Sequence, residues 1–291
     1  MEPYALVVGE SLVDIVVEPD GRDNERPGGS AANVAVALAR LGRRVRFVTS
    51  YADDDRGRAI AAHLGGSGVE LAVDPHALER TSTARATIAA DGSASYEFDL
   101  DWRFHPVGEV APVTVHVCSI GAVLQPGAAD VLRLLERLRA TATISYDVNA
   151  RPAITGTGGD VVGQVERVAA LAHLVKASDE DLEALYPSWS VTDAARHLLS
   201  LGPRAVAVTR GESGSTWFTD EREVTVPAVR THVVDTIGAG DTFSAGLIDA
   251  LWGDQWDDLA VAPEKALAHA AAAAAVTVSR RGADPPYRHE L

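Results

Sequence analysis

Apolar positions open the chain in a run too short for a helix. Tyr4–Gly9 (YALVVG) reads as a strand closed by glycine, and Leu12–Val17 (LVDIVV) as a second strand leading into a polar, glycine-rich loop. Ala31–Leu41 (AANVAVALARL) has helical spacing, with Ser30 in place to cap its start and Gly42 to stop it. Val45–Thr49 is strand-like, Arg56–Leu64 helical, and Val69–Val73 a further short strand. Thr83–Phe98 alternates apolar and polar residues on both sides of Asp91-Gly92, a dipeptide suited to a hairpin turn. These pieces predict a small sheet outside the main body.

From Val113 onward the rhythm changes. Strands are predicted at Val113–Ile120, Thr143–Val148, Leu174–Lys176 and Ala205–Thr209. Helices are predicted at Ala128–Arg139, Val161–Leu171, Asp179–Tyr186 and Thr192–Leu201. Such alternation implies a mostly parallel sheet covered by helices on both faces. Two short β segments, Ser215–Phe218 and Glu223–Val226, lead to closing helices near Gly240–Leu251 and Pro263–Ser279. Pro263 suits a first helical turn and Gly282 a stop. The alanine block Ala270–Ala275 reads as close-packed helix. No linker divides the 291 residues, so one domain is expected.

Composition narrows the function. The net charge of −15 excludes a whole-chain basic footprint for nucleic acid. An anionic ligand must then be held by a local arrangement, and the only lysines are Lys176 and Lys265. Cys118 stands alone, which excludes an internal disulfide and a cysteine zinc cluster. The N-terminus lacks the basic region of a signal peptide. The longest charge-free run, Val110–Ala129, is broken by Pro112, Gly121, Pro126 and Gly127 and does not read as a membrane span. A cytoplasmic enzyme is the expectation, with neither nucleic acid nor membrane as partner.

Several signatures are absent. No GxxxxGK[ST] occurs, and GxGxxG fails because Phe243 takes the third glycine position after Gly238 and Gly240. HExxH and GxSxG are missing as well. What stands out is DTIGAGDTFSAG. Gly238, Ala239 and Gly240 are small enough to let backbone N–H groups face an incoming group at a helix start. A turn of this kind binds an anion without any lysine. Asp241 follows at once, where a carboxylate would repel a static phosphate but could take a proton from an attacking hydroxyl. A plain glycine turn with Asp241 as helix cap is the competing reading.

Other stretches are double-edged in the same way. Gly28-Gly29 permit close approach of a ligand, and Asn33 one turn later suits a sugar hydroxyl, or is simply a surface amide. Asp14 amid β-branched residues is a hydroxyl acceptor or the open face of a strand. Asp147–Pro152 closes a central strand, where Arg151 could steady substrate or phosphate. Ser178 is a good N-cap, and Asp181 either decorates that helix or serves a Mg²⁺–phosphate group. Thr209-Arg210-Gly211-Glu212-Ser213-Gly214 is a turn or a loop approaching a nucleotide.

In this order the motifs resemble the pfkB (ribokinase-like) family of carbohydrate kinases over essentially the whole chain. GGSAANVAVALARLG resembles the family's N-terminal motif and DTIGAGDTFSAGLI its C-terminal one, with DVNAR, KASDED and VTRGESG between them. The resemblance implies a three-layer αβα sandwich with a small β lid formed from segments near 12–27 and 82–104. It implies ATP and Mg²⁺ as cofactors, a sugar as substrate, and a homodimer paired through the lid. By carry-over Asp241 is the base, and Gly238, Ala239 and Gly240 form the anion hole. Asp14, Gly28, Gly29, Asn33 and Arg151 contact the sugar, the last also near the γ-phosphate. Ser178, Thr209, Gly211, Gly214 and Gly240 lie on the nucleotide side. Asp235, Ile237, Thr277, Arg280 and Gly282 match a monovalent cation site, expected to take K⁺. Ser178-x-x-Asp181 replaces the usual N-x-x-E, keeping the charge with a shorter reach. Tyr96, Phe98 and Trp102 are expected either as walls for the sugar or as the lid's own core. The intermediate motifs lean towards fructokinases and 2-keto-3-deoxygluconate kinases. A nucleoside kinase of the same fold and a non-catalytic sugar- or nucleotide-binding regulator are the alternatives.

Overall fold

A computed structural model describes residues 2–18, 22–88, 94–256 and 263–291; the predicted turn at Asp91-Gly92 lies outside them. The first strands are β1 (Ala5–Val8), β2 (Leu12–Val17) and β3 (Asp23–Gly28), followed by α1 (Ser30–Arg40). Next come β4 (Val45–Val48), α2 (Asp55–Gly66), β5 (Glu70–Leu71), β6 (Thr83–Ile88) and β7 (Ala94–Asp99). Then β8 (Thr114–Cys118), α3 (Ser119–Val123), α4 (Gly127–Leu138), β9 (Thr143–Asp147), α5 (Pro152–Thr155) and α6 (Gly159–Leu171) begin the regular alternation. It continues through β10 (Leu174–Ser178), α7 (Asp179–Leu185), α8 (Val191–Ser200) and β11 (Ala205–Thr209). The chain closes with β12 (Ser215–Phe218), β13 (Glu223–Val226), α9 (Ala239–Ala250) and α10 (Pro263–Val278).

The large sheet runs β13-β12-β11-β10-β9-β8-β1-β4-β5. Every pairing from β5 to β11 is parallel, and β12 and β13 add an antiparallel edge. Alternation along the strands feeds two cores. Leu6, Val8, Val115, Val117, Ile144 and Tyr146 meet α4 and α6 on one face. Ala5, Val7, Leu174, Ala205 and Ala207 meet α1, α9 and α10 on the other. This is the expected three-layer αβα sandwich. Chain order reverses at β1 and β8, which are neighbours, so a crevice opens beyond their carboxyl ends.

The alanine block is close-packed as expected. A Cβ on Gly246 of α9 would lie 2.6 Å from Ala270 Cα of α10. Asp249, near the end of α9, accepts from Arg43 at 2.6 Å and pairs with His269 at 2.7 Å, and it also accepts from Arg288. Burial opposes its charge, but hydrogen bonds from His269, Arg288 and Arg43 hold its pKa at about 2. Arg40 donates to Pro285 O at 2.8 Å, so α1 also holds this C-terminal stretch.

The small sheet has the order β3-β2-β6-β7, with β2 and β6 parallel and both outer pairs antiparallel. Val13 and Ile15 turn one face into the core beside α1. Asp14, Arg26, Ala84 and Phe98 are cross-strand neighbours on the other face.

The structure adds elements that periodicity does not reveal. β3 (DNERPG) is a polar edge strand, where Pro27 is tolerated because an edge has a side without a partner. The run Val113–Ile120 stops as a strand at Cys118, because Ser119 takes φ 52° and starts α3. Val69–Val73 contributes only the two residues of β5. Trp102 belongs to neither expectation. It is buried in the main body, donates Nε1–H to Gly121 O at 2.9 Å, and stacks over the bare Cα of Gly127. No helix among the described residues is long and apolar enough to cross a membrane.

Candidate active site

Loops from the carboxyl ends of β1, β8, β9 and β10 meet the first turns of α1 and α9 in the crevice. Gly238 starts the turn before α9 with φ 76°, and a Cβ there would lie 2.6 Å from Ala283 Cβ. Glycine is therefore required for both conformation and space. Gly238, Ala239 and Gly240 are half-buried, open to the crevice rather than sealed beneath side chains. Ala239 N–H reaches Thr236 O at 3.2 Å, whereas the N–H groups of Gly240 and Asp241 have no acceptor among the described residues. Two donors at a helix start thus face the crevice, the arrangement that holds an anion.

Asp241 is buried in the first turn of α9, and its carboxylate faces α1. Asn33 Nδ2 donates to Oδ2 at 2.8 Å. Ser30 Oγ lies 2.7 Å from Oδ1, and Asn149 Nδ2 reaches the same oxygen at 3.3 Å. Burial raises the Asp241 pKa, opposed by the hydrogen bonds from Asn33 and Ser30 and by the charges of Lys176 and Arg151. The carboxylate is held in one orientation by groups that leave it basic, as a proton acceptor requires.

Ser30 does not cap α1. Gly29, with φ 104°, occupies the cap position, because a Cβ there would meet Glu10 O at 2.7 Å. Ser30 is thereby turned inward, accepting from Asn149 Nδ2 at 2.8 Å. Its N–H goes to Glu10 Oε1 at 2.9 Å, while Glu10 Oε2 takes Gly121 N–H at 3.0 Å. Glu10 therefore fastens β1, α1 and α3 together from inside. Burial raises its pKa to about 7, despite those hydrogen bonds.

Periodicity missed Ser30 in this role, and missed Glu10 and Asn149. The signal for Glu10 was an acid at the carboxyl end of a buried strand. Asn149 sits in left-handed backbone, φ 36°, a conformation that asparagine tolerates better than most residues.

Arg151 is exposed and donates to Asn149 Oδ1 at 2.6 Å, which aligns that amide against Ser30 and Asp241. Asp14 stands on the small sheet, open to the crevice. Gly28 makes room for it, since a Cβ at 28 would fall 2.1 Å from Asp14 Oδ2. Surrounding protein raises the Asp14 pKa to about 6, with Arg151 opposing and Asp241 adding. Asp14, Gly28, Gly29, Asn33, Arg151 and the 238–241 turn are thus brought together. Tyr96 and Phe98 stack at 6.3 Å on the face that carries Asp14.

The remaining predicted residues lie further along the sheet edge. Ser178 caps α7 in a capping box with Asp181, whose oxygens accept Ala150 N–H at 2.8 Å and Ser178 N–H at 2.7 Å. One lone pair remains on each oxygen for water. No group of three or more His, Cys, Asp or Glu that could cage a metal occurs among the described residues. Thr209 ends β11, and Gly211, with φ 49°, faces open space. Gly214 is dictated by packing, since a Cβ there would meet Val226 O at 2.1 Å.

Asp235 joins the 235–237 and 277–282 segments, accepting Ile237 N–H at 3.0 Å and Gly282 N–H at 2.8 Å. Thr277 is buried and donates to Thr242 Oγ1 at 2.9 Å. Arg280 turns its side chain to Glu290. The segments matched to a monovalent cation are therefore adjacent.

One expectation needs correcting. The anion turn is not free of lysine, because Lys176 Nζ lies 3.2 Å from where a Cβ on Gly240 would stand. The cause is the alternation of β10, which aims Lys176 towards α9 along with Leu174.

Comparison with known proteins identifies the family. The pfkB family carbohydrate kinase model matches residues 3–290. A fructokinase of Rhizobium leguminosarum bv. trifolii is 33% identical over 84% of this chain and 79% of its own. An aminoimidazole riboside kinase of Salmonella typhimurium is 32% identical over 95% of this chain and 89% of its own. A double mutant of the Vibrio cholerae O395 fructokinase, solved with fructose, ADP and potassium ion, superposes with a TM-score of 0.83. That structure is 26% identical and covers 97% of this chain and 94% of its own. The chain belongs to the pfkB family of carbohydrate kinases.

Proposed function

We propose that this sugar kinase transfers the γ-phosphoryl group of ATP to a primary hydroxyl of a five-membered-ring sugar, with fructose the foremost candidate and Asp241 the general base. The observation that carries the reading is the buried Asp241 carboxylate beside a half-exposed glycine turn with two unclaimed N–H groups. As the sugar oxygen attacks, Asp241 takes its proton, a new O–P bond forms, and the bond from the γ-phosphorus to the bridging oxygen of ADP breaks. The N–H groups at the head of α9 take up charge that grows on the phosphoryl oxygens. Asn33 and Arg151 orient the acceptor with Asp14, and Gly28 and Gly29 allow it close to the backbone. Ser178, Thr209, Gly211 and Gly214 belong to the nucleotide side. The small sheet acts as a lid that keeps water from the phosphoryl group.

A divalent cation on the nucleotide supplies charge neutralisation at the phosphates, with Asp181 in water-mediated contact. K⁺ belongs beside Asp235, Ile237, Thr277, Arg280 and Gly282. The exposed face of the small sheet, with Tyr96 and Phe98, is the surface for a homodimer.

Similarity to both a fructokinase and an aminoimidazole riboside kinase favours a second reading, a riboside acceptor. Fructofuranose and a ribofuranoside share a five-membered ring bearing a primary hydroxyl, so one base position serves either. A coupled ADP-release assay separates these readings. Its panel is fructose, ribose, 2-keto-3-deoxygluconate, aminoimidazole riboside and adenosine, each with and without K⁺. Absent ADP release across the panel, from protein that binds ATP, would leave only a binding role, whereas sugar-independent release would mark hydrolysis with water as acceptor.

A further inference from the structure

Beneath the anion turn lies a cluster that the proposed reaction does not use. Lys176 of β10, Asp147 of β9 and Ser244 of α9 are all buried. Lys176 Nζ donates to Asp147 Oδ2 at 3.0 Å, and Ser244 Oγ donates to the same oxygen at 2.8 Å. That is the only acceptor for the ammonium among the described residues, so two of its three N–H donors are unclaimed. The same Nζ stands 3.2 Å from where a Gly240 Cβ would be. The ammonium therefore lies against the backbone of the turn at Gly240.

The pair carries no net charge, so its orientation matters. Ser244 and Lys176 share Asp147 Oδ2, and the ammonium, not the carboxylate, lies within 4 Å of the Gly240 Cβ position. Burial works against the ammonium, but Asp147 and Asp181 outweigh it and raise its pKa. Burial lifts Asp147 to about 6, with Lys176 holding it down, and the 3.0 Å contact pairs the two groups. In a water-excluded interior such a fixed dipole acts at close range with little screening.

We infer that Lys176 is a positioning residue for phosphoryl transfer, placing a buried positive charge directly behind the Gly238–Gly240 cradle so that the cradle favours the polyphosphate of the bound nucleotide. The inference rests on the kinase reading above. A Cβ at residue 240 would stand 3.2 Å from the ammonium, so even a methyl there would crowd it by a few tenths of an ångström.

The test compares wild type with Lys176→Met and with Lys176→Met/Asp147→Asn, which removes both charges and leaves no buried carboxylate unpaired. Calorimetry measures binding of a non-hydrolysable ATP analogue with Mg²⁺ and, separately, of adenosine. The expected result for the folded double variant is at least about a tenfold loss of analogue affinity, as for removal of a charged hydrogen-bonding group. Adenosine affinity should change less than about twofold. In turnover assays the acid limb of kcat/KM should move to higher pH, because one charge that holds Asp241 ionised is gone. A folded double variant that binds the analogue as wild type does, or loses analogue and adenosine equally, overturns the role of Lys176. Wild type that binds neither ligand refutes the kinase reading instead, so the two failures are distinguishable.

Discussion

At the carboxyl edge of the large sheet, Asp241 is gripped through both oxygens by residues from α1 and the loop after β9. On the small sheet, Asp14 is exposed and makes no side-chain hydrogen bond among the described residues. Both carboxylates have raised pKa values, yet for different ends. The first is fixed before any ligand arrives, so its position costs no reorganisation during reaction. On the proposed reading the second is completed by a hydroxyl of the sugar. The proposed reading thus places chemistry on the rigid floor and recognition on the sheet above it.

The sharpest way to break this division is Asp241→Asn. Turnover should fall by at least about two orders of magnitude, while sugar binding measured by calorimetry stays within about threefold. Near-normal turnover would remove Asp241 from the chemistry.

Asp14→Asn should do the reverse. It should raise the KM for sugar about tenfold or more, the worth of a hydrogen bond to a charged group, with the KM for ATP little changed. The wild-type sugar KM should also climb as pH drops through about 6, because Asp14 then takes up a proton and accepts less well. A Gly28→Ala enzyme sharpens the point, since its methyl would collide with the Asp14 carboxylate. Its sugar KM should rise by a few-fold to about tenfold, with the Asp241-dependent step unaffected in single turnover.

A separate effect, on stability and not on the reaction, concerns Glu10. Its folded pKa of about 7 exceeds the ordinary 4.5, so the native state binds the extra proton between those values. Stability should therefore decline as pH rises through that window, by on the order of 3 kcal/mol from this group alone. Glu10→Gln should flatten that slope in urea titrations at pH 5, 6, 7 and 8, on top of a constant loss from one orphaned N–H. An unchanged slope would mean that Glu10 is not the buried proton site.

The body of the molecule was legible because buried parallel strands and amphipathic helices repeat with fixed periods. Ala205–Thr209, Ser215–Phe218 and Glu223–Val226 begin and end where the pattern says. β3 was not legible, because an exposed edge strand needs no apolar alternation and can carry Pro27. At the site, the motifs announced Asp241, Asn33 and the glycines. Ser30 and Glu10 stayed hidden because their roles depend on loops that meet only in three dimensions. Lys176 was visible in principle: a lysine at an inward position of LVKAS has to find a buried partner.

The C-terminal stretch has a mechanical meaning. Ala283 backs Gly238 at the head of α9, and Arg288 holds Asp249 near its tail. One strap thus pins the helix at two points, like a beam on paired supports, and such a beam cannot slide along its own length. A lesion at Arg288, remote in sequence from Asp241, would loosen the footing on which that carboxylate is aimed.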